Sequence, residues 1–490
     1  MRTPYTSAQI DTGDTDAAPA IRSALSRRIR AAVRGVNGHR TVIRVSVPVP
    51  EAVDPAAFLR LNGHGVAATK PAPTSGDSAP VADTTAAMFW SGRGSARSVA
   101  AVGAAEVVAS YTAPVTPEML DVALSHRLED LPPQARYYGG MRFDLSQPRD
   151  ASHPAREWAD FGSFRFVLPR FELMQDGETT ELACNLVGPD DVQEIDRVLD
   201  ALEALHLPTP QPVPSLPSPT GRHDIPNRSA WVKTIKDALT SIEQGELKKV
   251  VMARRAMLDH MNPLDAYGVL QHLALATPNC FHFAFQYDDG PAFIGATPER
   301  LLQRSGQQVR SEAVAGTRSR ASTAQEDNEL RTELLTSDKD RREHAHVEDA
   351  IRDTLAPFCE RVGPPDARTE MKLTSGRHIW TRVEGTLRPD VSTTSLLTAL
   401  HPTPAVGGVP RSAALDTIRS AEAFDRGWYA GPVGWIGRDA AEFAVAIRSG
   451  LVDGSRLALY SGAGIVRGSE PDAEWDEIEQ KIGNFLSLVD

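Results

Sequence analysis

Leu457-Ala458-Leu459-Tyr460-Ser461-Gly462-Ala463-Gly464-Ile465-Val466, followed after a short link by Glu474-Trp475-Asp476-Glu477-Ile478-Glu479-Gln480-Lys481, is the stretch on which the reading of this chain turns. The first run reads as a strand ending in a glycine turn at Gly462-Ala463-Gly464, whose backbone N–H groups can approach a carboxylate. In the second, Trp475, Ile478, Ile482 and Phe485 repeat at helical spacing as an apolar stripe, and Glu474, Glu477 and Lys481 share the adjoining face. Such a helix packs one side and presents two carboxylates and an ammonium on the other. The expectation is a site where a metal ion and a negatively charged ligand meet. Taken alone, the same stretch also fits a solvated charged helix after a tight turn.

Working outward, the second half reads as many strands with a few long helices. Lys249–Leu258 is expected as a strand that begins with a lysine, and Phe281–Tyr287 and Ala292–Ala296 as two more, the second running into Thr297-Pro298-Glu299-Arg300. Residues 311–320 read as a strand with a glycine turn, and a long polar helical region is expected to follow them, including Ser337–His344 and running to about Leu355. Trp231, Ile235, Leu239 and Ile242 predict a helix capped by Ser229 and stopped by Gly245. Short strands and loops are expected over 380–387, 401–408, 428–436 and 442–449.

The first half carries a strand over 41–49, a Gly/Pro/Ala/Thr-rich mobile loop over 63–86, and meander strands over 87–91, 98–108, 138–144 and 161–173, with Pro169-Arg170 near an edge. Residues 1–20 are expected to fray. Nothing in this half concentrates chemistry. Residues 207–227 form a proline-rich connector, which divides the chain into a β-rich part, 1–206, and a second part, 228–490. No internal repeat of about 20–50 residues is visible. The fold class is α/β or α+β.

Composition narrows the partners. A net charge of -12 over 490 residues leaves no basic surplus to neutralise phosphates, so no nucleic acid is expected. The longest mostly apolar run, Ser98–Ala109, is too short to span a bilayer, and Met1–Tyr5 opens no apolar leader, so neither membrane nor export is expected. Three widely separated cysteines, Cys184, Cys280 and Cys359, fit neither a disulfide framework nor a zinc site and point to a reducing cytoplasm.

Together, Lys249-Val250-Val251-Met252-Ala253-Arg254, Gly295-Ala296-Thr297-Pro298-Glu299-Arg300-Leu301, Ala315-Gly316-Thr317-Arg318, Lys339-Asp340 through Glu343-His344, His401-Pro402-Thr403-Pro404-Ala405, Trp428–Trp435, Ile447-Arg448-Ser449 and Gly462–Val466 resemble the chorismate-utilising enzymes. The likeness is strongest to the members that make isochorismate. It covers about 228–490 in the family's order, with looser matches at Tyr138-Gly139-Gly140 and Phe161–Arg170. The resemblance implies two packed β-sheets with helices outside, residues 1–206 supplying sheet and wall. It also implies a magnesium-dependent addition of water to one carbon of the chorismate ring with loss of hydroxide from another.

By the same resemblance Lys249 is the general base and Glu299 the general acid. Gly316, Thr317, His378, Tyr429, Arg448, Gly462, Ala463, Gly464 and Lys481 bind substrate. Glu343 and Glu477 hold the Mg2+, with Asp340 and Glu474 one helical turn away holding its waters. A lysine base has to fall from its usual value of about 10.4 through burial and cations such as Arg254, and the glutamic acid has to rise. His344 and His346 diverge at i, i+2 and read as structural.

A lysine at 249 favours water over ammonia, so no glutaminase subunit is expected and the chain is expected to act as a monomer. Salicylate synthases share the lysine and go on to eliminate pyruvate, but the motif ending at Ala405 is closer to enzymes that stop at isochorismate. The product's destination, menaquinone or a siderophore, is not written in these residues. No Leu-Leu-Glu-Ser motif is present, so tryptophan feedback is not expected. A nucleotide-binding module is the alternative of another class, built on Gly462-Ala463-Gly464.

Overall fold

A computed structural model describes residues 17–486 except 37–38, 51–52, 64–85, 112–113, 147–155, 209–211, 214 and 375. Its strands form two antiparallel sheets that share one member. The first runs from Thr41–Pro48 (β1) through Thr179–Gly188 (β6), Phe164–Asp176 (β5), Arg97–Ser110 (β3), Ala86–Ser91 (β2) and Phe281–Tyr287 (β9). It continues through Ala292–Thr297 (β10), Ser449–Asp453 (β19), Arg456–Val466 (β20) and Lys249–Asp259 (β8), whose far edge takes Gly221–Ile225 (β7) and Gly408–Val409 (β16).

The second sheet leaves β5 through Tyr137–Met141 (β4), Pro432–Ile436 (β17), Ala440–Val445 (β18), Arg300–Ser305 (β11) and Gln308–Ser319 (β12). It ends at Gly376–Leu387 (β15), flanked by Cys359–Val362 (β13) and Thr369–Lys372 (β14). The branch at β5 explains a proline that looked like an edge marker. β4 pairs with Phe164–Met141 through Val167–Tyr138, and β6 takes over only at Phe171. Pro169 falls in the hand-over, opposite a bulge in β3, where no ladder bond is lost.

Helices cover the outside. In the first half they are Ala18–Ala32 (α1), Pro55–Asn62 (α2), Pro117–Glu129 (α3), Asp190–Gln193 (α4) and Ile195–Glu203 (α5). In the second they are Arg228–Glu243 (α6), Ala266–Ala276 (α7), Ala324–Thr336 (α8), Asp338–Leu355 (α9), Thr393–Leu400 (α10), Arg411–Ala421 (α11) and Pro471–Leu486 (α12). The N-cap of α6 is Asn227, two residues before the expected Ser229, because the Asn227 side chain accepts from Ala230 N. On α12, Trp475, Ile478 and Ile482 are buried as the stripe predicts, and the side chain of Phe485 lies outside the described residues. None of the described helices is long and apolar enough to cross a membrane.

Two expected turns are not turns. β20 stays paired with β8 from Arg456↔Asp259 to Val466↔Lys249, so Gly462-Ala463-Gly464 lies within an extended strand. Gly316 is a bulge in β12, where the pairing with β15 shifts between Ala315 and Thr317. Part of the connector, Gly221–Ile225, pairs with β8 as β7. Ala18 already opens α1, and residues 1–16 and 64–85, where fraying and a mobile loop were expected, lie outside the described residues.

Aromatic side chains fill the space where the sheets meet. Trp428 packs at 5.2 Å from Phe161 and 5.9 Å from Phe285, and Phe166 of β5 meets Phe443 of β18 at 6.1 Å. Trp428 is fully buried and its indole N–H donates to Gly162 O at 3.4 Å. Trp428→Ala is expected to cost about 3–5 kcal/mol in urea denaturation. A loss below about 1 kcal/mol would show that this cluster does not join the sheets.

Candidate active site

β8 and β20 end side by side, and that end opens a cavity of about 260 Å³. Lys249, the first residue of β8, reaches it over Gly464. A Cβ at position 464 would stand 3.0 Å from Lys249 Cε, so the glycine leaves the lysine stem its room. Lys249 Nζ donates to Glu343 Oε1 at 3.0 Å.

Glu299 enters the same cavity from the link between β10 and β11. Its backbone is held tightly: Glu299 N donates to Thr297 Oγ1 at 3.3 Å, Thr297 Oγ1 donates to Val445 O at 2.7 Å, and Val445 N donates to Glu299 O at 3.0 Å. No hydrogen bond to its carboxyl oxygens is found among the described residues. Burial at 6% exposure raises the carboxyl to about 7, Glu312 adds to the rise, and Lys249, Arg448 and Arg93 oppose it. Glu299 is therefore poised to be a proton donor near neutrality.

Arg448 supplies a cation to the cavity and sits at φ 51°, a left-handed conformation that costs a non-glycine residue energy. Its Nη2 donates to His378 Nε2 at 3.0 Å. That contact makes Nε2 the acceptor, so Nδ1 carries the hydrogen and donates to Gly316 O at 3.1 Å, with Thr317 Oγ1 also at 3.1 Å. Burial, with Arg448 beside it, lowers His378 to about 3 and keeps it neutral. Tyr429 stacks on Tyr460 at 5.3 Å and faces the cavity, and Lys481 Nζ donates to Gly462 O at 3.0 Å and forms an ion pair with Glu477 Oε1 at 2.8 Å.

Acids from two helices complete the lining. α9 brings Asp340 and Glu343, and α12 brings Glu474 and Glu477. Gly316, at φ +71°, lets α9 approach, since a Cβ there would stand 3.2 Å from the Asp340 side chain. Asp340 Oδ2 accepts from Arg318 Nη2 at 2.8 Å. Burial raises the Glu474 carboxyl, and Glu477 adds to the rise. Among the described residues no group of three or more His, Cys, Asp or Glu gathers to hold an ion. Two carboxylates facing one cavity nevertheless fit an ion that takes one or two carboxylates and fills its octahedron with water and ligand oxygens. His344 is buried, donates through Nε2 to Ala313 O at 3.2 Å, and is pushed down to about 4 by burial, while His346 is exposed.

Of the residues expected from sequence, Lys249, Glu299, Gly316, Thr317, Asp340, Glu343, His378, Tyr429, Arg448, Gly462, Gly464, Glu474, Glu477 and Lys481 all line this cavity. Ala463 does not, because strand alternation turns it to the opposite, buried face of β20. Arg254 also falls on the far face of its strand. It pairs with Asp224 at 2.7 Å and with Glu479, and lies 3.6 Å over the Trp475 ring, so it is no neighbour of the Lys249 amine. With the glycines extended, the nucleotide-turn alternative has no turn to stand on. Residues missed from sequence include Lys339, Arg426 and Ser461 in the lining. Ser461 lies opposite Arg254 in the β8–β20 ladder, and Arg426 is held by Glu422 in the loop after α11, arrangements that no local pattern marks.

An amine, a raised carboxyl, a half-buried guanidinium and paired acids around one small cavity suit an acid–base enzyme for a compact polyanion. The family profile described as "Chorismate binding enzyme" matches residues 77–490, and the chain belongs to that family. Isochorismate synthase MenF of Bacillus subtilis is 34% identical over 355 residues, covering 72% of this chain and 74% of the relative. The salicylate biosynthesis isochorismate synthase of Pseudomonas aeruginosa is 37% identical over 357 residues, 71% of this chain and 72% of the relative. Isochorismate synthase 2, chloroplastic, of Arabidopsis thaliana is 35% identical over 368 residues, 73% of this chain and 65% of the relative. The structure of Escherichia coli MenF aligns with a TM-score of 0.78 at 26% identity over 96% of this chain and 99% of that one. Anthranilate synthase component I of Streptococcus pneumoniae, at 19% identity and a TM-score of 0.64, shares the fold.

The raised carboxyl has a stability consequence. Between the ordinary value of 4.5 and about 7 the folded protein binds the Glu299 proton that the unfolded chain has released, so stability is lost as pH rises through that window. Glu299→Gln is therefore expected to be more stable than wild type at pH 8 by about 1–3 kcal/mol, with the gap closing toward about pH 5. Equal urea midpoints at both pH values would show an ordinary carboxylate.

Proposed function

We propose that the protein is a magnesium-dependent isochorismate synthase that converts chorismate to isochorismate. The observation that carries this reading is that Lys249 and Glu299 open onto one cavity that also contains a half-buried guanidinium, Arg448, and acids from two helices. A water molecule loses a proton to the Lys249 amine as its oxygen bonds to one ring carbon. The ring double bond shifts, the hydroxyl on another carbon leaves, and Glu299 gives it the proton that makes it water. Atoms balance as an isomerisation, and proton exchange with solvent resets both groups.

Arg448, oriented by neutral His378, and Tyr429 receive the enolpyruvyl carboxylate, with Lys481 near Gly462 at the same wall. Glu343 and Glu477 would hold Mg2+, with Asp340 and Glu474 behind them; when bound, the ion neutralises the ring carboxylate and polarises the ring. Lys249 shares Glu343 with that site, which ties the freedom of the amine to what Glu343 holds.

Every described residue lining the cavity falls within 228–490, which supports placing catalysis there, with residues 1–206 as sheet and wall and 207–227 as connector. Water needs no ammonia donor, so the enzyme acts without a glutaminase subunit, as a monomer in the cytoplasm. The named roles of relatives extend from MenF enzymes to salicylate biosynthesis, and Ala405 in the lining supports release at isochorismate.

Purified protein with chorismate and Mg2+ is expected to yield isochorismate by chromatography. Lys249→Ala and Glu299→Ala are expected to fold and to lose roughly 10²–10⁴-fold in kcat, and Glu477→Gln to be inactive at low Mg2+. Unchanged chorismate with wild type would refute the reading, salicylate with pyruvate would move the product one step further, and wild-type rates in a variant would remove that residue from its role.

A further inference from the structure

Among the described residues none of the first half lines the cavity, yet one guanidinium from that half reaches the link that bears the acid. β2 pairs with β9 up to Ser91↔His282, and the turn that follows carries Arg93. Arg93 Nη1 donates to Pro298 O, the carbonyl immediately before Glu299, and its Nη2 donates to Glu312 Oε2. On the other flank Arg300 donates to Glu312 Oε1 at 2.7 Å and to Glu442 Oε1 at 3.1 Å. Both guanidiniums lie over the Phe281 ring, Arg93 at 5.5 Å and Arg300 at 5.2 Å from its centre. Glu312 is 1% exposed and Arg93 13%.

Glu299 is thus gripped on both sides by a closed ring of groups, to which the first half contributes Arg93, while Trp90 of β2 donates to Glu442 at 3.4 Å. We propose that Arg93 is a positioning residue for the general acid: its grip on Pro298 O and Glu312 fixes where the Glu299 carboxyl points and sets the charge around it. The proposal rests on the reading of Glu299 as that acid. It also gives the first half a part in the chemistry beyond forming a wall.

The charged groups facing the Glu299 carboxyl are Lys249 of β8, Glu312 of β12, Arg448 after β18 and Arg93. Removing Arg93 deletes a cation and leaves Glu312 less balanced, which favours the protonated acid. Neutralising Glu312 does the reverse. A residue that only braces the fold moves neither titration.

The test compares Arg93→Ala, Arg93→Lys and Glu312→Gln with wild type, measuring kcat and KM for chorismate across pH, and the infrared carboxyl titration of Glu299 without substrate. Arg93→Ala is expected to lose about 10²-fold in kcat with KM little changed. Its alkaline limb and its Glu299 titration are expected about one unit higher. In Glu312→Gln both move lower, and millimolar guanidinium restores part of kcat to the Ala variant alone. If the Ala variant fails to fold, Arg93→Lys decides, since it keeps the charge but not the two-point grip and is expected to lose kcat with the limb unmoved. Titrations that coincide with wild type in Arg93→Ala and Glu312→Gln, or wild-type kcat in Arg93→Lys, overturn the proposal. Absence of isochorismate formation by wild type would instead indict the functional reading, because the infrared titration still judges the clamp.

Discussion

Burying most of Glu299 at the wall of the cavity, with no hydrogen-bond donor to its carboxyl among the described residues, is the constraint on which the rest of this molecule depends. A carboxyl left so keeps its proton up to about pH 7, because burial makes the ionised form poorly solvated. The backbone around it is anchored to Thr297 and Val445, so the chain does not relax to let the group out. Cations nearby oppose the rise without cancelling it. The balance leaves a proton available for transfer.

That arrangement demands a scaffold stiff enough to bring distant segments to one point. The continuous β8–β20 ladder fixes Lys249 against Gly464, and the branch at β5 lets two sheets converge with an aromatic core between them. α9 and α12 then bring their acids to the mouth, α9 pinned through His344 to Ala313 and α12 through its Trp475 stripe. Charge in the cavity is arranged before any ligand enters: Lys249 meets Glu343, Lys481 meets Glu477 and Arg318 meets Asp340. A protein of net charge -12 can receive an anion because its cations are concentrated there.

Much of this was legible in sequence because catalytic chemistry restricts residue types at short spacing. The α12 stripe, the lysine opening β8 and the Thr297–Arg300 link could be read from a few residues each. The helices α10 and α11 were missed among expected strands and loops, and α3 in the first half carried no periodic signal, with only Leu120 and Leu124 buried. Gly462–Gly464 was misread as a turn because glycines mark both turns and places where another side chain must pass, and only the β8 register separates the two. Arg93 gave no local signal, since its partners lie about two hundred residues away in the chain.

The central claim is that water enters the ring on the side of an amine while hydroxide leaves on the side of a buried acid. Isotope labelling tests this most directly: turnover in water enriched in oxygen-18, followed by mass spectrometry of the isochorismate. The account predicts one heavy oxygen, located in the new ring hydroxyl. Product that keeps only its original oxygens would mean that the hydroxyl migrates within the substrate, and Lys249 and Glu299 would have no water to activate and no hydroxide to release.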